Sequence, residues 1–359
     1  MGLKILHSAD WHLDSPFTGF DAHRRELLRT ALRQVPEQVA ELCRREECGL
    51  LLLSGDLLDG HSTRETLDLL KAALADCGAR VFIAPGNHDY CGPGSPWLEE
   101  QWPENVHIFT GALESIPLPE LDCRVWGGGY HAMDCPGLLE GFQAQAPERW
   151  QLAVLHGDPT APDSPYCPVT QEQVRHSGLD YLALGHIHKA GAFRAGDTLC
   201  GWPGCPMGRG WDETGEKGCY ILTLENRPEL TFHPLPGIRF REASAPIDRG
   251  AADALDALLP GGETQDFIRV TLTGTGQPDL EALGKEFARI PNLWLRDRTT
   301  PPVELWANMD QDSLEGVFFR LLHTAAGAAE GPERERILLA AKLSRQLLDG
   351  REVRLDDHL

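Results

Sequence analysis

Five short clusters of carboxylate, imidazole and amide side chains recur between residues 10 and 188, each directly after an apolar run. They are Asp10-Trp11-His12, Gly55-Asp56-Leu57-Leu58-Asp59, Gly86-Asn87-His88-Asp89, His156-Gly157 and Gly185-His186-Ile187-His188. Asp, Asn and His offer oxygen and nitrogen donors without thiolate, a set that suits Mn²⁺, Fe²⁺ or Zn²⁺. One Asp after a strand is ordinarily a helix cap, and one His there is ordinarily a surface residue. Repetition at successive strand ends makes a shared metal site the better reading. Two cations about 3.5–4 Å apart can clamp the attacking and leaving oxygens of a phosphoryl displacement. Asp56 is the expected bridging carboxylate, because it leaves the most uniformly apolar run, Leu50-Leu51-Leu52-Leu53. His88, beside Asn87 on the same loop, is placed to protonate the leaving oxygen or to stabilise the charged phosphoryl group. Asp59 is the candidate for holding its ring. Arg209 and Lys217, in a Gly-rich stretch further on, are candidates for meeting a phosphate.

These side chains need a scaffold that brings strand ends to one edge. Residues 3–9, 49–53 and 81–84 read as strands, and residues 21–48 and 63–78 as helical, with Pro36 interrupting the first helical stretch. The order β-α-β-α-β implies a parallel sheet with right-handed crossovers. Open sheets of this kind bind ligands at the C-terminal ends of their strands. Residues 90–121, rich in Pro, Gly and Trp, read as loops with one short strand at 106–109. Strands are expected at 124–130, 151–155 and 179–184, an irregular loop over 199–218, and a closing hairpin from 219–224 and 230–235. Beyond Pro236 the composition shifts. Helices at 251–259 and 280–290 alternate with strands at 267–273 and 293–296, which describes a small α+β cap domain, and two amphipathic helices follow over 312–329 and 332–348. The expected domains are 1–236, 237–305 and 306–359.

The chain has 359 residues, 33 basic against 54 acidic, for a net charge of −21 at pH 7. That balance argues against broad nonspecific nucleic-acid binding by this chain alone. It does not exclude a nuclease, since bound cations offset local carboxylates. The ten cysteines include no Cys-x-x-Cys pair, so free thiols in a reducing cytoplasm are expected. Residues 2–9 read as a strand and not as a signal peptide. No run approaches about 18 apolar residues, so no membrane span is expected.

In order, the series Asp-x-His, Gly-Asp-x-x-Asp, Gly-Asn-His-Asp, His-Gly and Gly-His-x-His resembles the calcineurin-like metallophosphoesterases over residues 3 to about 190. The opening Ile5-Leu6-His7-Ser8-Ala9-Asp10-Trp11-His12-Leu13-Asp14, the run Leu182-Ala183-Leu184-Gly185-His186-Ile187-His188-Lys189 and the loop ending Gly215-Glu216-Lys217-Gly218 are similar to the SbcD-type DNA repair exonucleases, including the YhaO-like branch. The resemblance implies an α/β fold, a four-layer αββα sandwich of two mixed sheets between helices, with a small cap domain and C-terminal helices. It implies one metal held by Asp10, His12, Asp56 and His188, and a second held by Asp56, Asn87, His156 and His186. It implies Mn²⁺-dependent cleavage of DNA phosphodiesters by a metal-bound water, and C-terminal helices that grip the coiled-coil base of an SbcC-like ATPase. Many such nucleases form a homodimer through helices beside the site, a role open to residues 21–48. One position departs from the pattern: many nucleases of this group carry His where Asp59 stands. In the superfamily's protein phosphatases an Asp at that place orients the catalytic His, but the Arg they carry next is replaced here by Gly60.

Three functional classes follow. The first is a metal-dependent DNA exonuclease working with an ATPase. The second is a phosphoesterase of nucleotides or other small phosphoesters, with the cap and the Trp-rich loops closing a pocket. The third is a non-catalytic assembly subunit, which the full complement of expected ligands disfavours.

Overall fold

In the computed structural model, which describes residues 2–300 and 304–350, every apolar run that precedes a cluster is a strand, and all but the first residues of these runs are buried. In chain order the first elements are β1 (Leu3–Ser8), α1 (Ala22–Leu32), α2 (Val35–Arg45), β2 (Leu50–Leu53), α3 (Arg64–Asp76), β3 (Arg80–Ile83), α4 (Pro96–Glu99), β4 (Val106–Ile108), β5 (Glu114–Leu118) and β6 (Cys123–Gly127). Then come β7 (Trp150–His156), α5 (Gln171–His176), β8 (Tyr181–Gly185), β9 (Lys189–Ala195), β10 (Thr198–Gly204), β11 (Gly218–Leu224) and β12 (Pro228–Pro234). The expected helical stretch over 21–48 is two helices. The chain breaks at Arg33 and Gln34, and Pro36 sits in the first turn of α2, where its missing N–H costs nothing. Asp21 and Thr63 cap α1 and α3, each accepting the backbone N–H three residues on.

Two six-stranded sheets result, ordered β12-β11-β1-β2-β3-β4 and β5-β6-β7-β8-β10-β9. In the first, β1, β2, β3 and β4 are parallel, as the βαβαβ reading requires, and the β11–β12 hairpin adds antiparallel to β1. Alternation by two sorts the side chains of each strand to opposite faces. Ile5, Leu50, Leu52 and Phe82 from the first sheet meet Val125, Leu152, Val154 and Tyr181 from the second in one core. Ala153, Leu155, Leu182 and Leu184 point the other way, and pack with Val174 of α5 and with Leu138, Leu139 and Phe142. A fully buried Leu in this core is worth about 1.5–3 kcal/mol relative to exposure. The α/β sandwich is therefore the expected one, although the outer layer over the second sheet is thin, a six-residue helix and irregular chain.

Some elements differ from expectation. The stretch 90–121 holds α4 and β5 besides the short strand, and 199–218 is not a loop throughout, since its first residues belong to β10. Pro203 and two glycines mask that strand in the sequence, yet it pairs parallel to β8 and antiparallel to β9. The remaining elements are β13 (Phe240–Pro246), α6 (Ala251–Leu258), β14 (Phe267–Thr273), α7 (Leu280–Glu286), β15 (Leu293–Asp297), α8 (Leu314–Ala328) and α9 (Gly331–Leu348). β13 was not expected. It joins β14 and β15 in a three-stranded sheet. The chain divides into two compact units, one running to Glu242 and including Gln265–Arg269, the other Ala243–Thr264 with the chain from Val270 onward. In the second unit α8 and α9 pack together: Phe319 and Ala341 are buried, and the Arg345 guanidinium lies 3.9 Å from the Phe319 ring. Residues 301–303 and 351–359 of the expected cap and C-terminal segments lie outside the described residues. No helix among the described residues is long and apolar enough to cross a membrane.

Candidate metal centre

The loops that follow β1 and β2 are stitched together by their own backbones. Asp10 N–H donates to the Gly55 carbonyl at 3.0 Å, His12 N–H to Asp56 at 2.9 Å, and Asp59 N–H to Leu13 at 3.0 Å. Asp10, His12, Asp56 and His186 all adopt left-handed backbone, with φ of 55°, 48°, 50° and 85°. Such conformations cost about 1–3 kcal/mol each and persist where surrounding structure over-determines them, commonly at functional sites. Two glycines allow the loops to close. A Cβ on Gly55 (φ +81°) would lie 2.7 Å from both the Ala84 carbonyl and His156 Nδ1, and one on Gly86 would lie 2.3 Å from Asp56 Oδ1.

Asp10, His12, Asp56 and Asn87, which follow strands of the first sheet, and His156, His186 and His188, at the ends of β7 and β8 in the second, converge here. Donor atoms of Asp10, His12 and His188 lie within 4.8 Å of one another, as do those of Asp10, Asp56 and His156 and those of His12, Asp56 and His88. His12 Nε2 is 3.6 Å from Asp56 Oδ2, and His156 Nε2 is 3.4 Å from the same oxygen. Asn87 Oδ1 is 3.0 Å from His156 Nε2 and 3.3 Å from His186 Nδ1, while His12 and His188 face each other Nε2 to Nε2 at 3.3 Å. Asp10 Oδ2 is buried without a hydrogen-bond partner, which is costly unless another group satisfies it. A cation between the carboxylates and imidazoles would do so.

The ring orientations are set from behind. His156 Nδ1 donates to the Ser54 carbonyl at 2.8 Å, and His188 Nδ1 donates to Glu213 Oε1 at 2.7 Å. Each contact leaves Nε2 as the lone-pair nitrogen turned toward the cluster, the arrangement metal-binding histidines use. His7 lies below, buried, 2.8 Å from Tyr181 Oη and 2.8 Å from Ser54 Oγ, and burial lowers its pKa to about 3, so it is neutral there. Asp89 accepts four backbone N–H groups, from Gly86, Leu57, Asp56 and Leu58, at 2.7, 2.8, 3.2 and 3.3 Å. It thereby ties the Gly86 turn to the Asp56 loop. Burial first, and the Asp56 charge second, push its carboxyl up.

At the more exposed margin His88 Nδ1 stands 2.9 Å from Asp59 Oδ1. That contact is the largest cause of the raised His88 pKa. Burial works to raise the Asp59 pKa, but the His12 ring, with Nδ1 3.7 Å from Oδ1, and the hydrogen bonds with His88 and Ser15 outweigh it and hold the carboxyl well below its usual range. Burial likewise opposes ionisation of Glu213, and the His188 and Arg209 contacts overcome it. Burial is the first cause of the lowered pKa values of His12 and His186. Arg209 pairs with Glu213 at 2.8 Å and reaches Ser15 Oγ at 3.4 Å. Lys217 is buried, and its Nζ donates to the His188 carbonyl at 3.3 Å, a contact with the site's own backbone. Glu213, Asp89, Ser54 and His7 carry positioning contacts that motif reading does not reveal. Asp89, inside the Gly-Asn-His-Asp cluster, and His7, in the opening run, carried a local signal.

The chain matches the calcineurin-like phosphoesterase family over residues 3–190. It is 33% identical over 242 residues to the uncharacterized metallophosphoesterase YhaO of Bacillus subtilis, a match that covers 62% of this chain and 58% of that protein. It is 24% identical over 279 residues to the D component of the SbcCD nuclease of Staphylococcus epidermidis, covering 66% of this chain and 71% of the relative. Among solved structures it is similar to a dimetal phosphatase from Danio rerio, at TM-score 0.44 and 15% identity, covering 65% of this chain and 96% of that one. It is similar too to TT1561 of Thermus thermophilus, at TM-score 0.41 and 10% identity, covering 66% and 100%. The match over more than half of its length, on strand ends of two sheets that gather the Asp, Asn and His side chains described above, makes this chain a member of the calcineurin-like phosphoesterases.

Proposed function

We propose that this chain is a phosphodiesterase that uses two divalent cations, acting as a DNA exonuclease together with an SbcC-like coiled-coil ATPase. The convergence of Asp10, His12, Asp56, Asn87, His156, His186 and His188 where strand ends of the two sheets meet carries the reading. Asp10, His12, Asp56 and His188 would hold one cation, and Asp56, Asn87, His156 and His186 the other, with Mn²⁺ the first choice and Fe²⁺ or Zn²⁺ compatible with the same donors. Bound there, the cations would supply Lewis acidity toward the phosphoryl oxygens and lower the pKa of water. The protein's own part is positional. Ser54 and Glu213 hold the His156 and His188 rings. Asp59 holds His88 with its Nε2 available to give a proton to the leaving oxygen.

The DNA assignment is supported by the similarity to the SbcCD nuclease component. The ATPase is supported by α8 and α9, where Leu314, Leu321, Leu347 and Leu348 are well exposed. In this reading residues 237–305 are a cap, residues 306–359 the docking element, and residues 21–48 a homodimer face. Ten free, buried thiols support a cytoplasmic setting. A second reading, a small phosphoester substrate, is favoured by the net charge of −21, which repels a polyanion.

Removing metal with a chelator and restoring Mn²⁺, with single- and double-stranded DNA assayed beside a panel of small phosphoesters, tests both. Metal-dependent loss of DNA supports the exonuclease. Turnover of the small esters with DNA left intact establishes the second reading instead.

A further inference from the structure

Beside the metal cluster lies a groove of about 400 Å³ whose two ends differ in chemistry. Ser15, Asp59 and Arg209 line the end next to the site, and Phe17, Phe20 and Trp211 line the other. The polar end is already ordered. Ser15 Oγ donates to Asp59 Oδ2 at 2.7 Å, and the other Asp59 oxygen accepts from His88. The groove therefore begins one side chain away from the proposed proton donor.

The aromatic end is equally fixed. Phe20 meets Phe267 edge to face with centroids 5.3 Å apart, Trp211 meets Phe240 at 5.2 Å, and the Arg269 guanidinium lies 4.3 Å from the Trp211 ring. Phe17 has φ 50°, a left-handed conformation that a bulky side chain rarely adopts. It is held there within a short loop, which α1 secures through Arg29 on the Pro16 carbonyl at 3.2 Å. The volume falls at the small end of ligand sites. Rigid aromatic walls of this kind bind flat rings by stacking, without reading their hydrogen-bonding edges.

We propose that this groove holds the nucleobase of the nucleotide whose phosphate lies at the metal cluster, with Trp211 and Phe20 as its stacking walls. The proposal rests on the phosphodiesterase reading and adds the place where the base binds, with the consequence that nucleotidyl esters are preferred to simple alkyl ones. An occupant attached to the reacting phosphate must enter from the Asp59 end, and a planar base is the part of a nucleotide that suits an aromatic slot.

The test compares two Mn²⁺-dependent substrates that release the same 4-nitrophenolate, thymidine 5′-(4-nitrophenyl phosphate) and ethyl 4-nitrophenyl phosphate, in wild type, Trp211→Ala and Trp211→Phe. The wild type is expected to prefer the thymidine ester in kcat/KM. Trp211→Ala should lower kcat/KM for that ester by about tenfold, chiefly through KM, and leave the ethyl ester within about twofold. Trp211→Phe should recover most of the loss. An equal fall for both esters would place the leaving group, or mere structural support, at Trp211 and overturn the proposal. So would an unchanged preference in Trp211→Ala while both esters are still hydrolysed, and that outcome leaves the phosphodiesterase reading standing. If the wild type with Mn²⁺ hydrolyses neither ester, the phosphodiesterase reading fails, and the groove assignment with it.

Discussion

An imidazole whose Nδ1 is engaged by a carboxylate at 2.9 Å has one nitrogen left for chemistry, and at His88 that nitrogen lies at the accessible margin of the cluster. His88→Ala should lower kcat by roughly 10²–10⁴-fold, the range of a general acid, while the metal content measured by elemental analysis stays that of the wild type. Loss of metal in that variant would instead make His88 a ligand, a role its proximity to His12 and Asp56 permits. A carboxylate away from the cluster gives a stability prediction. Asp180 Oδ2 accepts the Gln151 N–H at 2.7 Å, and burial raises its pKa above the ordinary 3.8. Because the folded-state pKa is the higher one, this group's contribution to stability is present in acid and is lost as pH rises through that folded value. Asp180→Asn keeps an acceptor for the Gln151 N–H and does not titrate. It should melt higher than wild type at pH 7, with the gain disappearing below about pH 4. Thermal unfolding of both proteins across that range checks the sign.

The strand ends are where the elements meet the chemistry. Each of β1, β2, β3, β7 and β8 stops at or just before a member of the cluster, and the loops beyond share hydrogen bonds before any cation is considered. This preorganisation depends on close backbone approach. Gly86→Ala would drive a Cβ to 2.3 Å from Asp56 Oδ1 and 2.8 Å from His156. The expected outcome is at least a tenfold loss of metal affinity by calorimetric titration, with far-UV circular dichroism unchanged, since both sheets close elsewhere through their apolar faces. Unaltered metal binding in that variant would mean that the loops have more freedom than their contacts imply.

At the scale of the molecule, charge and mechanism pull in opposite directions. A protein that binds DNA through its own basic surface loses affinity as salt rises, because neutralised phosphates release counterions. With a net charge of −21, the isolated chain should show the reverse. Its KM for a DNA oligonucleotide should hold steady or fall as sodium chloride goes from about 20 to 200 mM, since screening weakens like-charge repulsion. A steep rise in KM over that range would reveal a basic DNA surface in this chain and remove the need for a partner to supply one.

Sequence alone picked out the Asp, Asn and His side chains that the structure brings together. Those residues sit in short contiguous motifs, and the strands before them are apolar enough to be read without partners. It determined the parallel order of the first strands as well, through the alternation of apolar runs and helical periodicity. It did not disclose β5, β9, β10 or β13. β9 is a mostly exposed edge strand of mixed polarity, and β10 carries Pro203 and two glycines. α5 is short and polar, though its capping box at Thr170 and Gln173 was written in the chain. Tertiary structure alone decided the supports of the His156 and His188 rings, whereas Asp59 beside His88 is legible in its motif. Glu213 lies 25 residues from the His188 ring it holds, and Ser54 is 102 residues from His156. Hydrogen bonds across such distances have no periodicity and no local motif, because they exist only once two sheets have folded against each other and brought their ends to one edge.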